Sequence, residues 1–136
     1  MREHMGLFRG KRTDNGDWVE GVYMPAVDND PPYIFRSPKY TMGYGVDPDT
    51  VGECTGLKDK NGKLIFEGDI VQYYGTYALE VFIEEGHAKT RWFDTVTNSK
   101  CVELFFGYDE EALGEVEIIG NIHDNPELLK GGEGNG

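Results

Sequence analysis

The sequence predicts an all-β protein, and three observations support this prediction. Short runs of β-branched and aromatic residues recur along the 136-residue chain. Tight-turn signals such as Asn15-Gly16 and Asn61-Gly62 separate these runs, and both residues of such a pair accept positive φ. The 19 glycines occur together with seven Phe, eight Tyr and two Trp, which is typical of a turn-rich β fold rather than of disorder.

The first half of the chain predicts two hairpins joined by an irregular excursion. Strand-forming residues flank the turn at residues 14–17, so residues 7–24 predict a hairpin. Residues 25–45 contain four of the six prolines and predict an excursion with one short strand at residues 33–35. Apolar residues on both sides of Asn61-Gly62 predict a second hairpin.

The second half predicts five short strands between residues 64 and 122, separated by tight turns. Leu79, Val81 and Ile83 alternate with polar residues, as in a half-buried strand. Strands of this number and length indicate a small closed or partly closed barrel. Short helical turns are expected at residues 109–113 and 125–129, the second with Asn125 as N-cap. The expected organisation is an N-terminal β-hairpin and oligomerisation region over residues 1–63, a barrel over residues 64–130 and a disordered tail over residues 131–136.

The formal net charge is −12 and is unevenly distributed. Residues 1–63 contain 9 Lys/Arg and 10 Asp/Glu, a net of −1, whereas residues 64–136 contain 4 and 15, a net of −11. An acidic surface repels phosphates, so nucleic-acid binding is disfavoured. A local basic patch could still exist, although solvated charge at a strand edge is the favoured interpretation of its members. The patch would consist of Arg2, Arg9, Lys11 and Arg12.

Cysteines and hydropathy predict a reduced protein without a membrane segment. Cys54 and Cys101 lack metal-type or redox-type spacing, so both are expected to be small, reduced, buried hydrophobes. The first residues lack the apolar run of a signal peptide. No stretch reaches the roughly 20 apolar residues that span a membrane. A cytoplasmic location follows as an expectation.

Residues that often carry chemistry occur here without the spacing that the chemistry needs. No histidine has a second ligand at metal spacing, and the acidic pair around Asn29 lacks the glycine and distal glutamate of a calcium loop. Adjacent acids do not form a matched acid–base pair, and neither serine lies in a nucleophile elbow. The residues considered are His4, His87, His123, Asp28, Asp30, Asp109, Glu110, Glu111, Ser37 and Ser99. We therefore predict no catalytic residue, no cofactor, no metal ligand and no enzyme activity.

Two further sets of residues have a structural reading and a functional one. Five aromatic residues fit either a peptide-binding groove of the SH3 type or packing in the core and between subunits. Asp69 is expected to fix the corner at residues 67–69 by accepting backbone N–H bonds. The five aromatic residues are Trp18, Trp92, Tyr73, Tyr74 and Tyr77.

Three blocks of the sequence resemble the YopX family of phage and prophage proteins. The first combines Arg2, Phe8, Arg9, Gly10, Trp18 and Gly21. The second is TVGECTGLKDKNGKLIFEGDIV at residues 50–71, and the third is EVEIIGNIHDNPELL at residues 115–129. The chain departs from the family pattern in residues 25–45 and in its glycine-rich tail. The resemblance implies a C-terminal SH3-like barrel preceded by an N-terminal β-hairpin region, together with self-association, and it implies no catalytic residue.

The sequence therefore predicts a phage-derived, self-assembling and non-enzymatic protein of a bacterial cytoplasm. It is expected to form a homo-oligomer and to bind a macromolecular partner, either a host or a phage protein. The alternative is a nucleic-acid-binding module that uses the barrel or the basic N-terminal strands.

Overall fold

The structure, a computed structural model, describes residues 7–36, 42–73, 78–85, 87–94, 99–104 and 116–133. The chain divides into two compact units, Met1–Cys54 and Thr55–Gly136. Strands dominate both units, and every described pair of strands for which a register is defined is antiparallel. The helices in the described ranges are two short 3₁₀ segments. The all-β prediction is therefore confirmed.

The first unit contains most strands of a six-stranded antiparallel sheet, in the order β4-β3-β2-β1-β5. Its elements are β1 (Phe8–Lys11), β2 (Trp18–Met24), β3 (Tyr33–Phe35), β4 (Gly43–Gly45), the 3₁₀ helix η1 (Pro48–Thr50) and the start of β5 (Gly52–Lys58).

The predicted hairpin forms from β1 and β2. Phe8 lies opposite Gly21 and Lys11 lies opposite Trp18. The connecting turn is closed by the Arg12 N–H, which donates to the Asp17 carbonyl at 2.8 Å. The predicted strand at residues 33–35 is β3, which pairs with β2.

The first unit has its own core and is more than a hairpin. Val19, Ile34 and Val46 are buried together. A Cβ atom at Gly21 would lie only 2.0 Å from the Phe35 carbonyl oxygen, so a residue without a side chain lets β2 and the end of β3 approach. The end of β1 also reaches the end of β4, because the Asp47 N–H donates to the Lys11 carbonyl at 2.8 Å. The irregular excursion predicted from the prolines thus contributes two strands to this sheet.

The second unit contains an antiparallel sheet with the strand order β10-β9-β8-β7-β11. Its elements, after the end of β5, are β6 (Leu64–Phe66), β7 (Asp69–Tyr73), β8 (Ala78–Glu84), β9 (His87–Asp94), β10 (Ser99–Leu104), β11 (Val116–Asn121) and the 3₁₀ helix η2 (Pro126–Glu133). β6 neighbours β5, as the predicted second hairpin requires.

Apolar side chains bury one face of this sheet. The core at this face consists of Val71, Leu79, Val81 and Val116 of the sheet together with Ile65 of β6. Phe82 points to the other face, yet it is also buried, and η2 contacts both β8 and β9. Alternation along β8 predicted the burial of the first face but not the burial of Phe82 on the second.

The described strand pairs leave the second sheet open. β10 and β11 form its two outer positions, and no pair within the described residues joins them. The five predicted strands are present, whereas the closed barrel is not shown. The predicted helical turn at residues 109–113 lies outside the described residues, and the one at residues 125–129 is the start of η2. The Asn125 side chain accepts a hydrogen bond from the Asn121 N–H at 3.2 Å.

Two buried carboxylates hold the turns around β6. The Asp69 Oδ2 atom accepts a hydrogen bond from the Phe66 N–H at 2.8 Å, which confirms the predicted role of Asp69 in the corner. Asp59 is likewise buried. Its Oδ1 atom accepts the N–H groups of Asn61 and Lys63 at 2.9 and 3.0 Å. Both carboxylates therefore accept hydrogen bonds from backbone N–H groups at these sharp turns, in the place of carbonyl partners.

Candidate interaction surface

The strand register of the first unit places eight side chains on one face of the sheet. Residues directly opposite each other in an antiparallel pair share a face. Arg9 lies opposite Glu20 and Lys11 lies opposite Trp18, while β2 and β3 pair Val22 with Phe35 and Met24 with Tyr33. We call this surface the outer face, defined by Arg9, Lys11, Trp18, Glu20, Val22, Met24, Tyr33 and Phe35.

One end of the outer face combines two cations with one indole ring. The Arg9 guanidinium carbon lies 4.7 Å from the Trp18 ring centroid, and the Lys11 Nζ atom lies 5.5 Å from it. Cations at these distances are attracted by the negative face of the ring. This end of the outer face therefore places cationic and aromatic groups side by side.

Arg12 is a third cation, next to Lys11 in the sequence but outside the outer face. Its side chain already contacts Asp14 and Tyr44. Its Nη2 atom lies 2.6 Å from Asp14 Oδ2, and its guanidinium carbon lies 4.2 Å from the Tyr44 ring centroid. The hydrogen bond to Arg12 lowers the pKa of the Asp14 carboxyl from its ordinary value, and the same bond raises the pKa of Arg12. Of the predicted basic patch, Arg9, Lys11 and Arg12 lie near aromatic rings, and Arg2 lies outside the described residues.

The other end of the outer face is apolar and exposed. Val22 and Met24 are 42% and 50% exposed. Beside them, the rings of Tyr33 and Phe35 lie 6.3 Å apart. An exposed apolar patch on a small protein commonly marks an interaction site.

Asp28 and Asp30, which were considered and rejected as calcium ligands, lie in a tight turn beyond this apolar end. The Asp30 N–H donates to the Val27 carbonyl at 2.9 Å. Asp28 adopts φ 54°, a left-handed conformation that aspartate tolerates in turns. Both acids are exposed, so the turn supplies two negative charges at the tip of the β2–β3 hairpin.

Those of the other candidate residues that the structure describes do not come together in one site. His87 is exposed at the start of β9. His123 lies in the turn after β11, where its N–H donates to Asn121 Oδ1 at 2.9 Å. No group of three His, Cys, Asp or Glu side chains in the described ranges could hold a metal ion. Ser99 is the first residue of β10. Five of the candidate residues lie outside the described ranges: His4, Ser37, Asp109, Glu110 and Glu111.

The second sheet carries two ion pairs between β8 and β9, Lys89–Glu84 and Arg91–Glu80. Arg91 donates to both oxygens of Glu80 at 3.2 and 3.1 Å and covers the Phe82 ring. The hydrogen bond from Lys89 lowers the pKa of Glu84. Of the candidate groove residues, Tyr73 and Trp92 are placed only as strand residues of β7 and β9, and Tyr74 and Tyr77 lie outside the described residues.

Sequence reasoning identified the cations and Trp18 but missed the apolar end of the outer face. The signal was present in β2, where Trp18, Val22 and Met24 occupy one alternating set and Val19 and Tyr23 the other. A strand with apolar residues on both faces is either buried on both faces within its own chain or leaves one face exposed for contact with another molecule. The strand register and the exposure of Val22 and Met24 show that β2 leaves one face exposed.

Together, these features define a small all-β protein of two antiparallel sheets, with an exposed apolar surface on the first. Of the helices in the described part of the chain, none is long and apolar enough to cross a membrane. Residues 7–130 match the family described as YopX protein, and the chain belongs to that family. No curated protein matches the chain.

A solved structure with a similar fold comes from Enterococcus faecalis. The crystal structure of its protein EF1440 has a TM-score of 0.52 and 23% sequence identity with this chain. The likeness covers 90% of this chain and 96% of that one. At this identity it concerns the fold alone.

Proposed function

We propose that this protein is a phage-derived, non-enzymatic binding protein that assembles with copies of itself through its first unit. It acts in the bacterial cytoplasm, where the assembly presents acidic second units to a host or phage protein. It acts by binding other proteins and not by catalysing a reaction.

One observation carries the self-assembly. The large hydrophobic side chains that are well exposed within the described residues all belong to the first unit: Val22, Met24, Val27 and Met42. Their exposure ranges from 42% to 60%. Charge agrees with this, because the first unit, residues 1–54, carries a net of −3 and residues 55–136 carry a net of −9. The less charged unit meets less electrostatic repulsion when it is buried against a copy of itself.

Light scattering on the full-length protein tests this proposal. Its mass should exceed that of one chain at high concentration, and 1 M salt should not dissociate the assembly completely, because apolar burial is not screened. A single-chain mass at every concentration would refute self-assembly. Affinity capture of host proteins on full-length protein, with an unrelated acidic protein as control, tests the partner.

We further infer that the five strands of the second sheet form the SH3-like barrel. β11, the last strand, pairs with β7, the first, so the chain returns to its starting edge as a small barrel requires. Closure requires a further contact between the two outer strands. Amide hydrogen exchange would show it as slow exchange along both outer strands, β10 and β11.

The alternative function is nucleic-acid binding, and the cations beside Trp18 favour it. Arg9 and Lys11 next to an indole form the kind of surface on which a base can stack. Against it stand the net charge of −12 and the Arg12–Asp14 ion pair. A gel shift at increasing salt separates the functions, because phosphate contacts weaken steeply with salt.

A further inference from the structure

We propose that Asn15 is a site of spontaneous covalent modification, where the side-chain amide is hydrolysed through a cyclic imide and the backbone of the β1–β2 turn is rearranged. The proposal is independent of the proposed function, because it needs neither self-assembly nor a partner. The chain offers an internal comparison, since Asn15-Gly16 and Asn61-Gly62 are the same dipeptide in two described turns.

The reaction needs an asparagine followed by a residue without a side chain, whose backbone nitrogen can approach closely. The Gly16 nitrogen gives its proton to solvent and bonds to Asn15 Cγ, while the bond from Cγ to the side-chain nitrogen breaks and ammonia leaves with a proton from solvent. One water then opens the imide. Opening at Cγ gives aspartate, whereas opening at the backbone carbonyl carbon gives isoaspartate, in which the main chain runs through Cγ. One water is consumed and one ammonia is released, without an oxidant or cofactor.

The two glycines are equally suited to this reaction. Gly16 has a φ of 78° and Gly62 a φ of 81°, and a Cβ atom at either position would meet no atom within 4 Å. Each glycine N–H donates to a carbonyl, Gly16 to Arg12 at 3.0 Å and Gly62 to Asp59 at 2.9 Å. One such bond must open in each turn before the nitrogen attacks. The surroundings of the asparagines therefore determine which of them reacts first.

The side-chain oxygen of Asn15 is prepared for the attack. The Asp17 N–H donates to Asn15 Oδ1 at 2.9 Å, so the side chain folds over its own backbone in an Asx turn. Negative charge develops on Oδ1 when the Gly16 nitrogen attacks Cγ, and an N–H group already aimed at that oxygen stabilises it. At Asn61 it is instead the backbone N–H that is held, by Asp59 Oδ1 at 2.9 Å.

The two turns also differ in what must break for the backbone to move. Residues 13–17 are all exposed, so water replaces the hydrogen bonds of that turn as they open. The Asn61 turn is tied to Asp59, which is 6% exposed and also accepts the Lys63 N–H at 3.0 Å. Water can reach the released N–H groups, but the buried carboxylate loses partners that water replaces poorly. Asn15 should therefore react first.

Nearby charges leave this order unchanged. Each turn lies beside one ion pair, Arg12–Asp14 at 2.6 Å and Lys60–Glu117 at 3.5 Å. Asp17 adds one exposed negative charge to the first turn. An exposed carboxylate opposes loss of the glycine amide proton only weakly, because water and salt screen it.

The two products should differ in their effect on the β1–β2 hairpin. The turn is closed by the Arg12 N–H, which donates to the Asp17 carbonyl at 2.8 Å. Isoaspartate adds a methylene group to the main chain inside this closed turn, so the bonds across it cannot all be kept. Aspartate keeps an oxygen in the place of Oδ1 and can still accept the Asp17 N–H. The isoaspartate form should therefore be the less stable one.

Ageing of the full-length protein at mildly alkaline pH, followed by peptide mapping with mass spectrometry, tests the order. In the folded protein Asn15 should convert roughly fivefold faster than Asn61, because only the Asn61 turn must release a buried carboxylate. In urea-unfolded protein the two rates should converge, since the dipeptides are identical. A folded protein in which Asn61 converts as fast as Asn15, or in which Asn15 does not convert, overturns the proposal.

A variant tests the reason for the order. Asp59→Ala should raise the rate at Asn61 toward that at Asn15 and leave the rate at Asn15 unchanged. Asp49→Ala, at an exposed acid in η1, is the matched control and should change neither rate. An unchanged rate at Asn61 in Asp59→Ala would overturn the argument, and if that variant fails to fold, the comparison of the two sites in the wild-type protein still decides.

The effect of the rearrangement is measured on the separated products. The isoaspartate form, isolated by chromatography from aged protein, should melt at a lower temperature than the unaged protein. Asn15→Asp supplies the other product and should melt close to the unaged protein. Equal Tm values for the isoaspartate form and Asn15→Asp would refute the predicted loss of stability in the hairpin.

Discussion

Removal of the Asp59 carboxylate should destabilise the second unit more than removal of an exposed carboxylate does. This side chain is 6% exposed and joins two segments that are distant in sequence. While Oδ1 holds the turn at Asn61 and Lys63, Oδ2 accepts the Ile118 N–H of β11 at 3.0 Å. β11 is the outer strand of its sheet, so the carboxylate occupies the place of a neighbouring strand.

The three hydrogen bonds do not contribute equally. Asn61 and Lys63 are exposed, so water can replace the carboxylate at their N–H groups. The Ile118 N–H lies in a partly buried strand, where losing its partner costs about 1–3 kcal/mol. Adding about 1 kcal/mol for the turn, we expect Asp59→Ala to lower the free energy of unfolding by about 3 kcal/mol, or by roughly 10 °C in Tm.

Urea unfolding followed by circular dichroism measures the loss, and Asp49→Ala is the control. Asp49 is an exposed acid in η1, and its replacement should change stability by less than about 0.5 kcal/mol. Asp59→Asn should fall between the two, because one amide oxygen can replace only one carboxylate oxygen. Amide exchange at Ile118 should also accelerate in Asp59→Ala. The reasoning is refuted if Asp59→Ala is no less stable than Asp49→Ala.

Three further predictions concern single sites. Gly62→Val should cost about 1 kcal/mol or more from backbone strain alone, because φ is +81° and a Cβ there would meet no atom within 4 Å; an unchanged Tm would contradict this. Cys54, 1% exposed, should react with a thiol reagent far more slowly in native than in denatured Cys101→Ser protein, and equal rates would contradict its burial. The pKa of Glu84, lowered by its hydrogen bond from Lys89, should return toward the ordinary value in Lys89→Met when followed by NMR. Because that pKa is depressed in the folded state, the ion pair stabilises the fold above the unfolded pKa and loses this effect as pH falls through the folded pKa.

The positions of strands and turns follow from local sequence. Asn15-Gly16 and Asn61-Gly62 predict their hairpins because few residues other than glycine and asparagine accept positive φ. Alternation predicts β8 because side chains of a strand point to opposite faces with a period of two. These signals need no knowledge of the rest of the chain, so one sequence suffices to read them.

Only the tertiary structure decides which surfaces are covered. Phe82 breaks the alternation of β8 yet is buried, and the Arg91 guanidinium carbon lies 4.1 Å from the centroid of its ring. The bond from Ile118 to Asp59 spans 59 residues, so nothing near either residue predicts it. Val22 and Met24 resemble core residues in the sequence yet lie exposed on the outer face. Hydrophobicity indicates that a side chain tends to leave water, whereas strand register and long-range contacts determine whether its own chain covers it or leaves it for a partner.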